Sequence, residues 1–136
     1  MARILAIDYG EKRTGIAVTD PLQIIASGLT TVSTKDLLKY LKDYVSKEQV
    51  ERIVVGQPRR LNNEPSEVEH KIQQFIIALN KELPEISVVR IDERFTSKIA
   101  FQSMLDAGVK KKDRRKKELL DKVSATVILQ SYLYNR

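Results

Sequence analysis

The sequence predicts an α/β domain: a mixed five-stranded sheet, an antiparallel meander plus two parallel crossover strands, flanked by helices. Three observations lead there. Short apolar runs rich in β-branched residues recur along the chain, bounded by turn residues. The first three runs are joined by links too short for a helix, so they pair as consecutive antiparallel strands. The last two runs each follow a segment with apolar residues at three-and-four spacing, the pattern of a crossover helix. At 136 residues the chain forms a single domain, residues 1–136, large enough for a core without disulfide staples.

Taken in order, Arg3–Asp8 (RILAID) is a buried strand that ends on a carboxylate. A turn containing Gly10, Lys12 and Arg13 leads to a second strand, Thr14–Thr19. Pro21 opens the connection to a third, Ile24–Val32, with a bulge or bend expected at Gly28. Ser33 and Asp36 have the spacing of a capping box, so a helix is expected from Ser33, carrying Leu37, Leu38, Leu41, Tyr44 and Val45 on one stripe. Arg52–Gly56 is the fourth strand, followed by a loop over residues 57–63. Pro65 stands near the start of the next helix, where proline is tolerated, and Pro84 stops that helix after Leu83. His70 lies off the apolar stripe and reads as an exposed polar residue. Ile86–Asp92 is the fifth strand. Thr96 or Ser97 can cap a helix carrying Ile99, Ala100, Met104 and Leu105, which Gly108 ends. A last helix is expected from about Glu118 to Leu133. This order of elements is the ribonuclease H-like arrangement, and such sheets bind ligands beyond the carboxyl ends of their parallel strands.

The net charge of +6 is concentrated. The eight residues Lys110, Lys111, Lys112, Asp113, Arg114, Arg115, Lys116 and Lys117 hold seven bases and one acid, and the rest of the chain is neutral. Like charges this close repel, and a polyanion relieves the repulsion; nucleic acid is the natural partner. With no cysteine the chain has no thiolate metal site, and its one histidine, His70, cannot by itself make a His-rich metal site or a Ser-His-Asp triad. No apolar run reaches membrane-spanning length and no leader pattern opens the chain, so a cytoplasmic protein with no membrane partner is expected.

Several acids are expected at one edge of the sheet. Asp8 ends the first strand, Asp92 and Glu93 follow the fifth, and Asp121 starts a line through Ser124, Ala125, Ile128 and Tyr132 on one face of the last helix. Each alone has another reading: Asp92 can cap a turn, Glu93 can pair with Arg94 or Arg90, and Asp121 suits a helix N-terminus. Gathered together they repel unless cations join them. Oxygen ligands of this kind suit Mg²⁺ or Mn²⁺, and two such ions about 4 Å apart can activate water and stabilise the leaving oxygen of a phosphodiester. Lys12, Arg13 and Arg94 are suited to phosphate oxygens, with Thr96 or Ser97 adding a hydroxyl contact, and the basic segment to the rest of a nucleic-acid strand.

Four blocks then match a known pattern. Asp8-Tyr9-Gly10-x-Lys12-Arg13-Thr14-Gly15-x-Ala17-Val18-x-Asp20 resembles the opening signature of the YqgF family, the Holliday-junction-resolvase-like pre-16S rRNA nucleases. Val54-Val55-Gly56-x-Pro58, Asp92-Glu93-Arg94-Phe95-Thr96-Ser97 and Asp121–Leu133 resemble its later blocks, in the right order and over nearly the whole chain. The resemblance implies a ribonuclease H-like fold, a cytoplasmic location, metal-dependent nuclease activity and maturation of the 5′ end of pre-16S rRNA. It carries over Asp8, Glu93 and Asp121 as the catalytic acids and metal ligands, with Asp92 a fourth ligand or a positioning residue.

The leading expectation is therefore a two-metal endonuclease, Mg²⁺ or Mn²⁺ dependent, that acts on pre-16S rRNA or a pre-ribosomal particle as a monomer or weak homodimer. A Holliday-junction resolvase acting on branched DNA is the alternative from the same chemistry. A non-catalytic RNA-binding ribosome-assembly factor is the alternative from another class.

Overall fold

The computed structural model describes residues 2–57, 68–92 and 116–135, without the side chains of residues 116–122 and 135. The strands are β1 (Arg3–Asp8), β2 (Arg13–Thr19), β3 (Ala26–Ser33), β4 (Val50–Gln57) and β5 (Ser87–Asp92). The helices are α1 (Leu37–Lys47), α2 (Glu69–Glu82) and α3 (Lys116–Asn135). The strands form one five-stranded sheet in the order β3-β2-β1-β4-β5. β1 pairs antiparallel with β2, and β2 with β3; β1 with β4, and β4 with β5, are parallel. This is the expected ribonuclease H-like sheet. The helix expected over Ile99–Leu105 and the loop over residues 58–63 lie outside the described residues.

Strand alternation sends successive side chains to opposite faces, and both faces are covered. Leu5, Ile7, Ile16, Ile53 and Val55 pack with Leu37 and Leu41 of α1 and Ile72 and Leu79 of α2. Ile4, Ala6, Ala17 and Val54 pack with Ala125, Ile128 and Leu129 of α3. β1 is thus apolar on both sides through Ile4–Ile7, with polar residues only at its two ends, Arg3 and Asp8. Full burial of each Ile or Leu side chain contributes roughly 1.5–3 kcal/mol, which anchors this central strand in the core.

Most element boundaries shift by one or two residues from the sequence expectation, and two of the differences have a local cause. β3 starts at Ala26 rather than Ile24, because the Asp20 carboxylate accepts the amides of Ile24 and Ile25 at 2.8 Å each and holds them in the loop. The expected irregularity near Gly28 is present: Ile16 pairs with Thr30 and Ala17 with Gly28, leaving Leu29 as the extra residue of a bulge. The capping box does not form. Thr34–Asp36 is a 3₁₀ turn, α1 begins at Leu37, and the Ser33 hydroxyl makes no cap bond. Pro84 does follow the end of α2, whose last helical residue is Glu82.

Candidate active site

The carboxyl ends of the parallel strands β1, β4 and β5 share one edge of the molecule. Register defines the rows there. Ile7 pairs with Val55, so Asp8 comes level with Gly56, which pairs with Ile91. Ile91 packs in the α3-side core, so the row Asp8–Gly56–Ile91 belongs to that face. Gly56 has no side chain, and Asp8 is half-buried beside it. The next row pairs Gln57 with Asp92. Alternation puts Asp92 on the same face as Arg90, whose guanidinium is bonded to Glu69 of α2. Asp8 and Asp92 therefore end neighbouring parts of the same edge on opposite faces.

Helix α3 runs antiparallel to β1 and β4. The Tyr132 hydroxyl, near the end of α3, accepts a hydrogen bond from the Arg52 guanidinium, near the start of β4. Asp121 precedes Tyr132 by eleven residues, about 16 Å along a helix. Gly56 follows Arg52 by four residues, about 13 Å along a strand. The turn of α3 that contains Asp121 therefore comes to the level of Asp8 and Gly56. Asp121 also stands one turn before Ala125 and two before Ile128, both fully buried against the sheet. Asp8 and position 121 share one end and one face.

The turn after Asp8 is held from two sides. Thr34 donates its hydroxyl to the Gly10 carbonyl at 2.6 Å and its amide to the Lys12 carbonyl at 3.0 Å. From α2, Phe75 packs on Tyr9 with ring centroids 5.7 Å apart, and Lys71 pairs with Glu11 at 3.6 Å. Burial, with a smaller contribution from Glu11, pushes the Tyr9 phenol up, so it remains neutral around pH 7. Gly10 is required by space: a Cβ there would lie 2.3 Å from the Arg13 carbonyl oxygen. Lys12 is exposed and Arg13 half-buried on this turn.

Behind the edge, Arg90 bridges three elements. It donates to both carboxylate oxygens of Glu69, at 2.6 and 2.9 Å, and to the carbonyls of Val55 and Gly56. Glu69 is 3% exposed. The pair fixes the first turn of α2 to the end of β4. Glu93, for which Arg90 is one partner expected from the sequence, lies outside the described residues; the Arg90 guanidinium bonds Glu69. Thr34 and Glu69 were not singled out from the sequence. Both act on groups 20 or more residues away, and nothing in their local spacing marks them.

Among the described residues no three His, Asp or Glu come together, and His70 is exposed, 3.2 Å from Gln74 Nε2. Glu93, Arg94, Thr96, Ser97, Lys110, Lys111, Lys112, Arg114 and Arg115 lie outside the described residues, as do the side chains of Lys116, Lys117 and Asp121. Of the acidic set, Asp8, Asp92 and the backbone of Asp121 are described, and Asp8 and position 121 are the two that share a face. Carboxylate oxygens without thiolate or imidazole fit a hard cation such as Mg²⁺ or Mn²⁺.

A family model described as RuvX, Holliday junction resolvase, matches residues 2–135. The chain belongs to the RuvX family. This is the family named YqgF above, and its description makes it one of nucleases, which are phosphodiester hydrolases. Relatives of similar length carry the name "Putative pre-16S rRNA nuclease". One from Phocaeicola vulgatus is 60% identical over 136 residues, covering 100% of this chain and 98% of its own. One from Christiangramia forsetii is 59% identical over 134 residues, covering 98% and 99%. One from Bacteroides thetaiotaomicron is 57% identical, covering 100% and 99%. Among solved structures, Thermus thermophilus RuvC in complex with a Holliday junction substrate aligns with a TM-score of 0.62 at 13% identity, covering 99% of this RuvX chain and 98% of RuvC. A second T. thermophilus RuvC structure gives 0.58 at 13% identity, covering 97% and 96%. These two likenesses establish the ribonuclease H-like fold. No helix among the described residues is long and apolar enough to cross a membrane.

Proposed function

We propose that this chain is a Mg²⁺- or Mn²⁺-dependent endonuclease that processes the 5′ end of pre-16S rRNA during ribosome biogenesis in the cytoplasm. The observation that carries the reading is that Asp8 and the α3 turn containing Asp121 lie at the same end and on the same face of the sheet. The names of the relatives matched over nearly their whole length support pre-16S rRNA as the substrate. Asp8, Asp121 and Glu93 would hold the metal. Glu93 is preferred to Asp92 because Asp92 ends β5 on the α2 side, away from Asp8. When bound, the divalent ions supply Lewis-acid chemistry and a nucleophilic water at a phosphodiester.

The chain's own residues have separable tasks in this reading. β1, buried through Ile4–Ile7, presents Asp8 on a rigid support. Gly56 leaves room beside it. Lys12, Arg13 and Arg94 neutralise the phosphate, with Thr96 or Ser97 adding a hydroxyl donor. Lys110, Lys111, Lys112, Arg114, Arg115, Lys116 and Lys117 hold the flanking RNA by phosphate neutralisation, which predicts binding that weakens steeply with salt.

The test is cleavage of a pre-16S rRNA 5′ fragment by purified protein with Mn²⁺, comparing wild type with Asp8→Asn. Metal-dependent cleavage that the substitution abolishes supports the reading; equal cleavage by both proteins refutes it. The family's description favours one other reading, a Holliday-junction resolvase. Symmetric nicking of four-way DNA in preference to the RNA fragment would select it.

A further inference from the structure

Thr34 lies 24 residues from Gly10, yet its hydroxyl and amide take two carbonyls of the same turn, Gly10 at 2.6 Å and Lys12 at 3.0 Å. Its hydroxyl oxygen is also 2.9 Å from that of Thr14, a fully buried side chain. The Thr34 proton goes to Gly10, so Thr14 is the donor in that pair. The result is a relay: Thr14 hydroxyl to Thr34 hydroxyl to Gly10 carbonyl. A trans peptide sets the amide of the next residue opposite the carbonyl. With the Gly10 carbonyl turned inward to Thr34, the Glu11 amide is turned outward. The Lys12 side chain is exposed on the same turn, and the Glu11 carboxylate is paired with Lys71 at 3.6 Å. The turn beside Asp8 therefore presents a backbone donor and an ammonium group, with its one acid partly neutralised.

We propose that Thr34 is a positioning residue for substrate: by pinning the Gly10 and Lys12 carbonyls inward, it aims the Glu11 amide and the Lys12 ammonium at a phosphodiester oxygen next to Asp8. The inference rests on the nuclease reading for the identity of the phosphodiester but is tested separately from catalysis. Thr34 itself touches no substrate. Its effect is on the strength of phosphate binding.

The experiment measures binding of a short fluorescent single-stranded RNA, without divalent metal, to wild type, Thr34→Val, Thr34→Ser and Thr14→Val. Thr34→Val keeps shape and removes the donor to Gly10. Thr34→Ser restores that donor. Thr14→Val loses the buried hydroxyl below but leaves the Thr34–Gly10 bond in place. Thr34→Val is expected to weaken binding about fivefold, with Thr34→Ser and Thr14→Val within about twofold of wild type. Circular dichroism on each variant confirms that the protein compared is folded. Should Thr34→Val fail to fold, Thr34→Ala replaces it, with the same expectation. Wild-type binding by the hydroxyl-free variant, equal weakening by Thr14→Val, or no RNA binding by wild type would each overturn the proposal. A wild type that binds RNA in this pattern yet cleaves nothing with Mn²⁺ would refute the nuclease reading and leave the role of Thr34 standing.

Discussion

Two aspartates close the two ends of the central hairpin, and the loops that follow them are held by different residues. Asp20 follows β2. Its carboxylate accepts the amides of Leu22, Ile24 and Ile25, and its carbonyl accepts the Gln23 amide. These bonds shape its own loop, with Gln23 at φ 59, and they hold the Asp20 carboxyl below its ordinary value, the Ile25 amide contributing most. Asp8 ends β1 at the other end. The turn after it is organised by other residues: Thr34 takes its carbonyls and α2 packs on Tyr9 and Glu11. An acid that builds its own loop has its oxygens engaged by neighbouring amides. An acid whose loop is built by distant residues can be rigidly placed for another task. Both aspartates belong to the opening motif, and their surroundings differ in the structure.

The sharpest way to break this contrast is at Asp8 itself. Asp8→Asn is expected to lower Mn²⁺-dependent RNA cleavage about a hundredfold or more with thermal melting nearly unchanged. Single-turnover cleavage assays beside melting curves check both parts. Removing the brace behind the edge affects stability instead. Glu69→Ala removes both carboxylate acceptors from the part-buried Arg90 guanidinium, and urea denaturation should show a loss of about 1–3 kcal/mol. Gly10→Ala forces a Cβ against the Arg13 carbonyl; urea denaturation should show a cost of about 1–3 kcal/mol, with weakened RNA binding.

The smallest effect belongs to Asp20. Asp20→Asn should lower the melting temperature modestly at neutral pH and leave cleavage unchanged. The folded-state pKa is lowered from the ordinary 3.8, so the carboxylate's contribution is present above 3.8 and lost as pH falls through the depressed value. The melting difference between wild type and Asp20→Asn should therefore shrink as the pH is taken from neutral into that acid range. A difference that grows on acidification would contradict the loop's dependence on the ionised group.

Much of the fold was legible in the sequence because it is written in local patterns. The continuous apolar run Ile4–Ile7 marks a strand buried on both faces, and the three-and-four spacing through Ala125, Ile128 and Tyr132 marks the helix face that meets it. Pro84 and Gly28 worked as punctuation. The errors arose where a side chain chose a distant or unexpected backbone partner. Ser33 has the spacing of a cap, yet Thr34, next to it, engages the β1–β2 turn and the chain enters a 3₁₀ turn instead. Ile24 and Ile25 look like strand residues, but Asp20 captures their amides first. In the candidate site, the position of Asp8 could be read from the strand end. That Asp92 sits on the other face follows from register and from the Arg90–Glu69 pair, which links residues 21 apart. Sequence spacing does not report such contacts.

In the proposed mechanism Asp8 and Asp121, from opposite ends of the chain, would ligate the same divalent ion. Isothermal titration of Mn²⁺ into wild type, Asp8→Asn, Asp121→Asn and Asp20→Asn tests it directly. Saturable binding is expected for wild type and Asp20→Asn, with loss of that binding in both Asp8→Asn and Asp121→Asn. Unchanged Mn²⁺ affinity in either of the last two, or no binding by wild type, would contradict it.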